Sequence, residues 1–302
     1  MRVAVTGAGG RLGRALVAAL EDAPFTGPLG PLAWSRPAYD LDDPEAAARC
    51  IRQSAPEVVV HAAAWTDVDG CAREPERAMR RNALAVAELA EACVRAGADL
   101  VLVSTNEVFD GRRTDGRGYA PGDRPTPANP YGASKLAGET AAQAVFLGRA
   151  PQLAIVRTAW LYGPPGNDFP ARILAAADRA RAAGEPLRVV GDEIGSPTFA
   201  ADLAEGILDL LAAGAFAGVH HVVNAGSVSR AGWARHILAA LRVEVPIVEV
   251  PLATWSRPSS PPAWAVLEPT PLPSGEQLRP WKEAFADHLP FLERQRAGAA
   301  QR

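Results

Sequence analysis

Short, unbroken apolar runs alternate with amphipathic stretches through the first half of the chain, and this alternation constrains the fold more than any other feature. Val3-Ala4-Val5, Pro31 to Trp34, Val58-Val59-Val60, Leu100 to Val103 and Leu153 to Val156 read as strands. Between them, residues 11–21, 44–53, 74–96 and 130–147 read as helices. Strands separated by helices pair in parallel through right-handed crossovers. Continuous Val, Leu and Ala runs, unlike alternating ones, suit a sheet covered on both faces. The expected fold is α/β: a doubly wound parallel sheet of Rossmann type over residues 1–160, with parts of the later chain returning to it. A smaller C-terminal lobe is expected mainly over residues 161–290.

Composition sharpens this division. Prolines crowd together from Pro246 to Pro280, yet the region carries Trp255, Trp264 and Trp281. Large aromatics in such numbers predict packed irregular structure instead of a disordered stretch. Residues 291–302, rich in Arg, Ala and Gln, are expected to fray. The 31 basic and 34 acidic residues form no basic stripe, which argues against a nucleic-acid partner. Cys50, Cys71 and Cys93 are widely spaced, so neither a disulfide framework nor a zinc cage is expected, only packing in a reducing compartment. The five histidines show no metal-ligand spacing. The N-terminus reads as a strand that glycines interrupt, not as a signal peptide, and no window approaches the roughly 18 apolar residues of a membrane span. Cytoplasmic placement with no membrane partner follows as the expectation.

Thr6-Gly7-Ala8-Gly9-Gly10-Arg11-Leu12-Gly13 lies between the first strand and the first helix. Glycines at 7, 10 and 13 allow a tight turn and let a pyrophosphate approach backbone amides at the positive helix end. A dinucleotide is therefore expected on Gly7, Gly9, Gly10, Arg11, Leu12 and Gly13. At the end of the second strand an acid would hold the ribose hydroxyls of NAD, whereas a base accommodates the 2′-phosphate of NADP. The chain reads Trp34-Ser35-Arg36 there, so Ser35 and Arg36, with Arg11, point to NADPH, with NADH as the alternative. Asp40 and Leu41 are placed to border the adenine.

Tyr131-Gly132-Ala133-Ser134-Lys135 puts Tyr131 and Lys135 at i and i+4, on one helix face. A neighbouring ammonium is expected to lower the phenol from its usual value near 10, making an acid–base group. Lys135 can also hold the nicotinamide ribose, so both residues count as cofactor contacts. The strand ending in Ser104-Thr105 adds a hydroxyl for a substrate carbonyl oxygen, and Thr105, Tyr131 and Lys135 form the expected catalytic set.

With these motifs in hand, the chain resembles an extended short-chain dehydrogenase/reductase, and most closely the dTDP-4-dehydrorhamnose reductase family. The likeness rests on Gly7 to Gly13, His61 to Asp69, Asn82, Ser104 to Gly111 and Tyr131 to Glu139, and on Arg157 to Gly163 and Gly195 to Ala204. It implies NADPH-dependent reduction of the 4-keto group of a nucleotide-linked 6-deoxyhexose, most closely dTDP-4-dehydrorhamnose to dTDP-L-rhamnose. It also implies Ala62, Ala63 and Ala64 along the cofactor, and Thr66, Val68, Asn106, Glu107 and Trp160 around the sugar, in a monomer or homodimer. Three departures stand out. Asn106 and Glu107 replace an Asp and an aromatic beside the triad, Pro261-Pro262 replaces an Arg-Pro, and Ala15 replaces a glutamate that binds magnesium in some members, so no metal is expected. Two alternatives stay open. One is a sugar-nucleotide 4,6-dehydratase or epimerase, although Asn106 cannot donate the proton that a dehydratase needs. The other is a non-catalytic nucleotide-binding regulatory subunit.

Overall fold

The computed structural model describes residues 1–214 and 216–300. The chain begins with β1 (Val3–Thr6), α1 (Arg11–Asp22), β2 (Leu32–Trp34), α2 (Ala46–Ser54) and β3 (Val58–His61). α3 (Val68–Arg73), α4 (Pro75–Met79) and α5 (Ala85–Ala96) follow, the last two joined by a π-helical turn at Arg80–Leu84. Next come β4 (Asp99–Thr105), α6 (Pro130–Phe146) and β5 (Leu153–Thr158). The later chain supplies β6 (Leu161–Tyr162), α7 (Phe169–Ala183), β7 (Leu187–Val190), β8 (Ile194–Gly195), β9 (Thr198–Phe199) and α8 (Ala200–Ala213). β10 (Gly218–His221), β11 (Val228–Ser229), α9 (Arg230–Ala240), β12 (Ile247–Val250), β13 (Trp264–Ala265) and α10 (Trp281–Ala300) complete it.

Six parallel strands form the main sheet in the order β2-β1-β3-β4-β5-β10. Successive strand side chains point to opposite faces. Ala4, Val59, Leu100 and Leu102 accordingly join a core shared with α2, α5 and α6. Val3, Val5, Val58, Val60 and Val101 join another, shared with α1 and α8. Leu16, Leu20, Ile207 and Leu211 are fully buried there, each contributing about 1.5–3 kcal/mol. The chain order reverses at β1, which lies between β2 and β3. Open α/β sheets bind ligands at the carboxyl ends of strands where the order reverses. That crevice lies between the loops that follow β1 and β3.

A third core, holding Tyr162, Phe199, Trp233, Trp281 and Phe285, organises the C-terminal lobe. The sheet reaches past residue 160, since α8 and β10 pack into it. The frayed tail expected from residue 291 gives way to helix. α10 continues through Ala300, because Trp281, Ala284, Phe285 and Leu292 bury one face in the lobe core; residues 301 and 302 lie outside the described residues. Of the tryptophans in the proline-rich stretch, Trp281 is buried and Trp264 half-buried, whereas Trp255 is exposed against expectation. No helix among the described residues is long and apolar enough to cross a membrane.

Candidate active site

The glycine loop is packed too tightly for side chains at two positions. Gly7 has φ +65°, and a Cβ there would fall 2.9 Å from the Ala63 backbone. At Gly13 a Cβ would fall 2.1 Å from the Gly7 carbonyl oxygen, so the first turn of α1 closes against the loop. Gly9, in contrast, faces open space. Gly10 caps the start of α1 without a side-chain hydrogen bond, and the first turn of the helix holds no acid. Its leading amides and the positive end of its dipole are therefore available to an anion. A cleft of about 580 Å³ lies in front of them. Gly7, Gly9 and Gly10 line it with Ala62, Ala63 and Ala64, and Ser35, Arg36, Asp40 and Leu41 line it further along. These residues fit a dinucleotide.

Two expected cofactor side chains lie elsewhere. Arg11 turns away, its Nε donating to the Gly163 carbonyl at 2.9 Å and its Nη2 to that of Gly166 at 2.8 Å. Carbonyls from the second lobe capture this guanidinium, so it has no part beside the ribose. Leu12 points into the core of α1 and α8, which leaves only its backbone near the loop. Tyr39, Trp65 and Arg81 line the cleft without having been expected there. Arg81 is paired with Asp42 and lies 5.6 Å from the Trp65 ring centre.

α6 presents the tyrosine and lysine. Asn129 caps it by accepting from Gly132 N–H at 2.9 Å, and Pro130 occupies the first helical position. A Cβ on Gly132 would fall 1.9 Å from the Glu107 carbonyl oxygen, so the first turn of α6 lies directly on the end of β4. Thr105, Tyr131 and Lys135 are all buried. Lys135 Nζ donates to the Val103 carbonyl at 2.8 Å, and Thr105 Oγ1 accepts from Glu107 N–H at 3.2 Å. Asn82 joins cleft to helix. Its amide accepts from Trp65 N–H at 2.8 Å and donates to the Trp65 carbonyl at 3.0 Å and to Ser134 Oγ at 3.1 Å. On the other side Thr6 Oγ1 meets His61 Nδ1 at 2.9 Å and accepts from Ala63 N–H at 3.1 Å.

The electrostatics of Tyr131 differ from the expectation. Burial, and then the Glu107 carboxylate, hold the phenol well above its ordinary value, while a hydrogen bond with the Thr105 hydroxyl pulls the other way. Lys135 does not lower it. Burial drives that amine down to about 8, against the pull of Glu139, and its proton is directed to a backbone carbonyl. A phenol that keeps its proton is nevertheless the form from which a carbonyl oxygen can be protonated. His61 is pushed down to about 3 by burial and by Lys135, so it is neutral.

Beyond the triad lie the residues expected around a sugar. Val68 packs with Cys71 and Ala78 beside Tyr131, Thr66 is exposed, and Asn106 is buried. Glu107 accepts from Asn129 Nδ2 at 2.6 Å; burial raises its carboxyl above the usual range, with Asn129 opposing. Trp160 has φ +41°, a costly conformation for a bulky residue. Packing from both lobes holds it there. Its ring fills the space a Cβ on Gly195 would take, 2.4 Å away, and lies 3.5 Å from the Arg230 guanidinium. Among the described residues no group of three or more His, Cys, Asp or Glu side chains is arranged to hold a metal ion.

The sequence profile of the RmlD substrate binding domain matches residues 1–293. The chain belongs to this family. It is 40% identical to the dTDP-4-dehydrorhamnose reductase of Mycobacterium tuberculosis (strain ATCC 25618 / H37Rv), the similarity covering 95% of this chain and 92% of that protein. A Clostridium acetobutylicum dTDP-4-dehydrorhamnose reductase superposes with a TM-score of 0.88 at 29% identity, over 97% of this chain and all of the other. The Bacillus anthracis dTDP-4-dehydrorhamnose reductase, solved in complex with NADP, gives 0.85 at 31% identity, over 95% and 98% of the two chains.

Within this RmlD-type chain, spacing in the sequence finds Tyr131 and Lys135 but not the groups that fix them. Asn82 stands in a quoted motif, yet its link to Ser134 spans 52 residues. Arg81 reaches the cleft because the π-helical turn at Arg80–Leu84 shifts the helix register. No local pattern announces either contact.

Proposed function

We propose that this chain is an NADPH-dependent reductase of the 4-keto group of a nucleotide-linked 6-deoxyhexose, converting dTDP-4-dehydrorhamnose to dTDP-L-rhamnose in the cytoplasm. One observation carries the reading. Asn82 joins Trp65, on the wall of the dinucleotide cleft, to Ser134, between Tyr131 and Lys135, in a chain similar along its length to reductases of that name. Gly7, Gly9, Gly10 and the amides opening α1 would hold the pyrophosphate, and Tyr131 and Lys135 the nicotinamide ribose. NADPH, when bound, supplies the hydride. Thr105 orients the keto oxygen, Tyr131 gives it a proton, and Lys135 as ammonium holds the ribose hydroxyls beside it. Asn106 has no acidic proton to give a departing hydroxyl, which disfavours a dehydratase.

NADPH oxidation measured against a panel of dTDP-, UDP- and GDP-linked 4-keto-6-deoxy sugars tests the proposal, with turnover expected on the dTDP sugar. Oxidation with none of them would overturn it, and retained nucleotide binding would then favour a non-catalytic subunit. Arg36 lines the cleft beside Ser35. Replacing it with Ala is expected to raise the KM for NADPH by roughly tenfold or more and to leave that for NADH little changed, since one charge-assisted contact to the 2′-phosphate is lost. Equal effects on both cofactors would remove Arg36 from phosphate recognition.

The pH dependence follows from Lys135. Its amine, lowered to about 8 by burial, is charged below that pH and loses its charge above it. The kcat/KM for reduction, which reports the free enzyme, should therefore fall about tenfold per pH unit above about 8. A profile still flat at pH 9.5 contradicts the role given to this lysine.

A further inference from the structure

One residue of the glycine loop belongs to both lobes. Arg11 opens α1, and its N–H is among the leading amides of the helix, which lack an intrahelical partner. Its side chain runs the other way, with Nε and Nη2 donating to the carbonyls of Gly163 and Gly166 at 2.9 and 2.8 Å. Those carbonyls lie in the turn that joins β6 to α7. Gly163 and Gly166 hold φ +136° and +101°, a region that strains any residue with a side chain. Asp168 fastens the turn by accepting from Gly163 N–H at 2.9 Å and from Ala171 N–H at 3.0 Å. Asp168 is fixed in turn from α10, its Oδ2 lying 3.4 Å from His288 Nε2 with both side chains fully buried. Aromatic rings hold the two ends of the segment. Trp160 stacks on Trp233 with ring centres 5.8 Å apart, and Phe169 stacks on the same ring at 4.7 Å. The turn that Arg11 grips is thus framed by Trp160, the residue expected against the sugar, and by the first residue of α7.

The backbone of Arg11 therefore stands where a pyrophosphate would be held, while its guanidinium stands on the lobe that carries Trp160. An anion on the leading amides of α1 fixes that backbone. A fixed backbone lessens the freedom that a long side chain loses in holding two carbonyls. Filling the cleft then strengthens the grip on the turn, and by linkage the grip strengthens the hold on the anion. We propose that Arg11 is a positioning residue that couples NADPH in the cleft to the sugar side of the second lobe, through the turn of residues 163–166. It touches neither the ribose nor the reacting atoms. The inference rests on the reductase reading and adds how its two binding events are joined.

Calorimetric titration of the full chain with dTDP-L-rhamnose, with and without NADPH, tests it. NADPH cannot reduce this product further, so binding is read without turnover. In the wild type NADPH should tighten the product by about tenfold, the effect of one charge-assisted hydrogen bond. Arg11→Met keeps the apolar stem and removes the fork, and it should cut that enhancement to about twofold or less. Arg11→Lys keeps the charge but offers one donor group to two carbonyls, so it should recover part of the enhancement; it carries the test if Arg11→Met does not fold. The enhancement is a ratio within one variant, so a general loss of stability or a direct effect of charge on the product enters both of its members and cancels. NADPH titrated with and without the product must give the same ratio. A wild type without enhancement, or an enhancement undiminished in both variants, overturns the coupling and leaves the reductase reading standing. A wild type that binds neither NADPH nor the product overturns both.

Discussion

Tyr131→Phe is expected to reduce kcat for the keto sugar by about 10²- to 10⁴-fold, the range that a positioned acid contributes. The substitution removes one hydroxyl and nothing else. The ring is buried against Val68, Cys71 and Ala78, and phenylalanine fills the same space. Thr105 keeps its place, since Glu107 N–H still holds its hydroxyl at 3.2 Å. Lys135 remains fixed on Val103. The proton is therefore lost while the frame persists, and NADPH affinity, followed by fluorescence titration, should stay close to that of the wild type. Burial holds the phenol above its ordinary value, so wild-type Tyr131 carries its proton near neutrality, the form from which a carbonyl oxygen is protonated. Turnover within tenfold of wild type would remove Tyr131 from the reaction.

The second large effect concerns stability. Arg157 on β5 and Glu139 on α6 form a buried fork, Nε to Oε1 at 3.0 Å and Nη2 to Oε2 at 2.6 Å, with side chains only 4% and 2% exposed. Ser104, next to Thr105, donates to the same carboxylate, and the guanidinium lies 5.2 Å from the Phe109 ring centre. Glu139→Ala leaves an uncompensated cation in the core and is expected to cost about 3–5 kcal/mol. The check is a lower urea midpoint with an unchanged slope. The double variant Glu139→Leu/Arg157→Met should regain most of the loss, because a buried pair replaced by well-packed apolar groups is often neutral. A single variant within 1 kcal/mol of wild type, on the order of an ordinary surface substitution, would show that the pair is not what binds β4, α6 and β5 beneath the triad.

Local pattern alone located five of the six sheet strands, β1 to β5, and the helices between them, whereas β10 and α8, which complete the sheet and its cover, were not read from it. Apolar runs such as Val58-Val59-Val60 and the spacing from Arg11 to Glu21 carry their periods within a few residues of themselves. The glycines opening α1 and the four-residue step from Tyr131 to Lys135 are legible for the same reason. Tertiary structure alone decided what the charges do. Arg11, four residues beyond Gly7, is claimed by carbonyls more than 150 positions away, and Asp69 is bound to a strap nearly 190 positions on. It also decided that Tyr131 keeps its proton, since burial is a property of everything packed around a side chain and not of its neighbours in sequence. Similarly, α10 persists past residue 291 because Leu292 finds a core to enter, a partner that no local window contains.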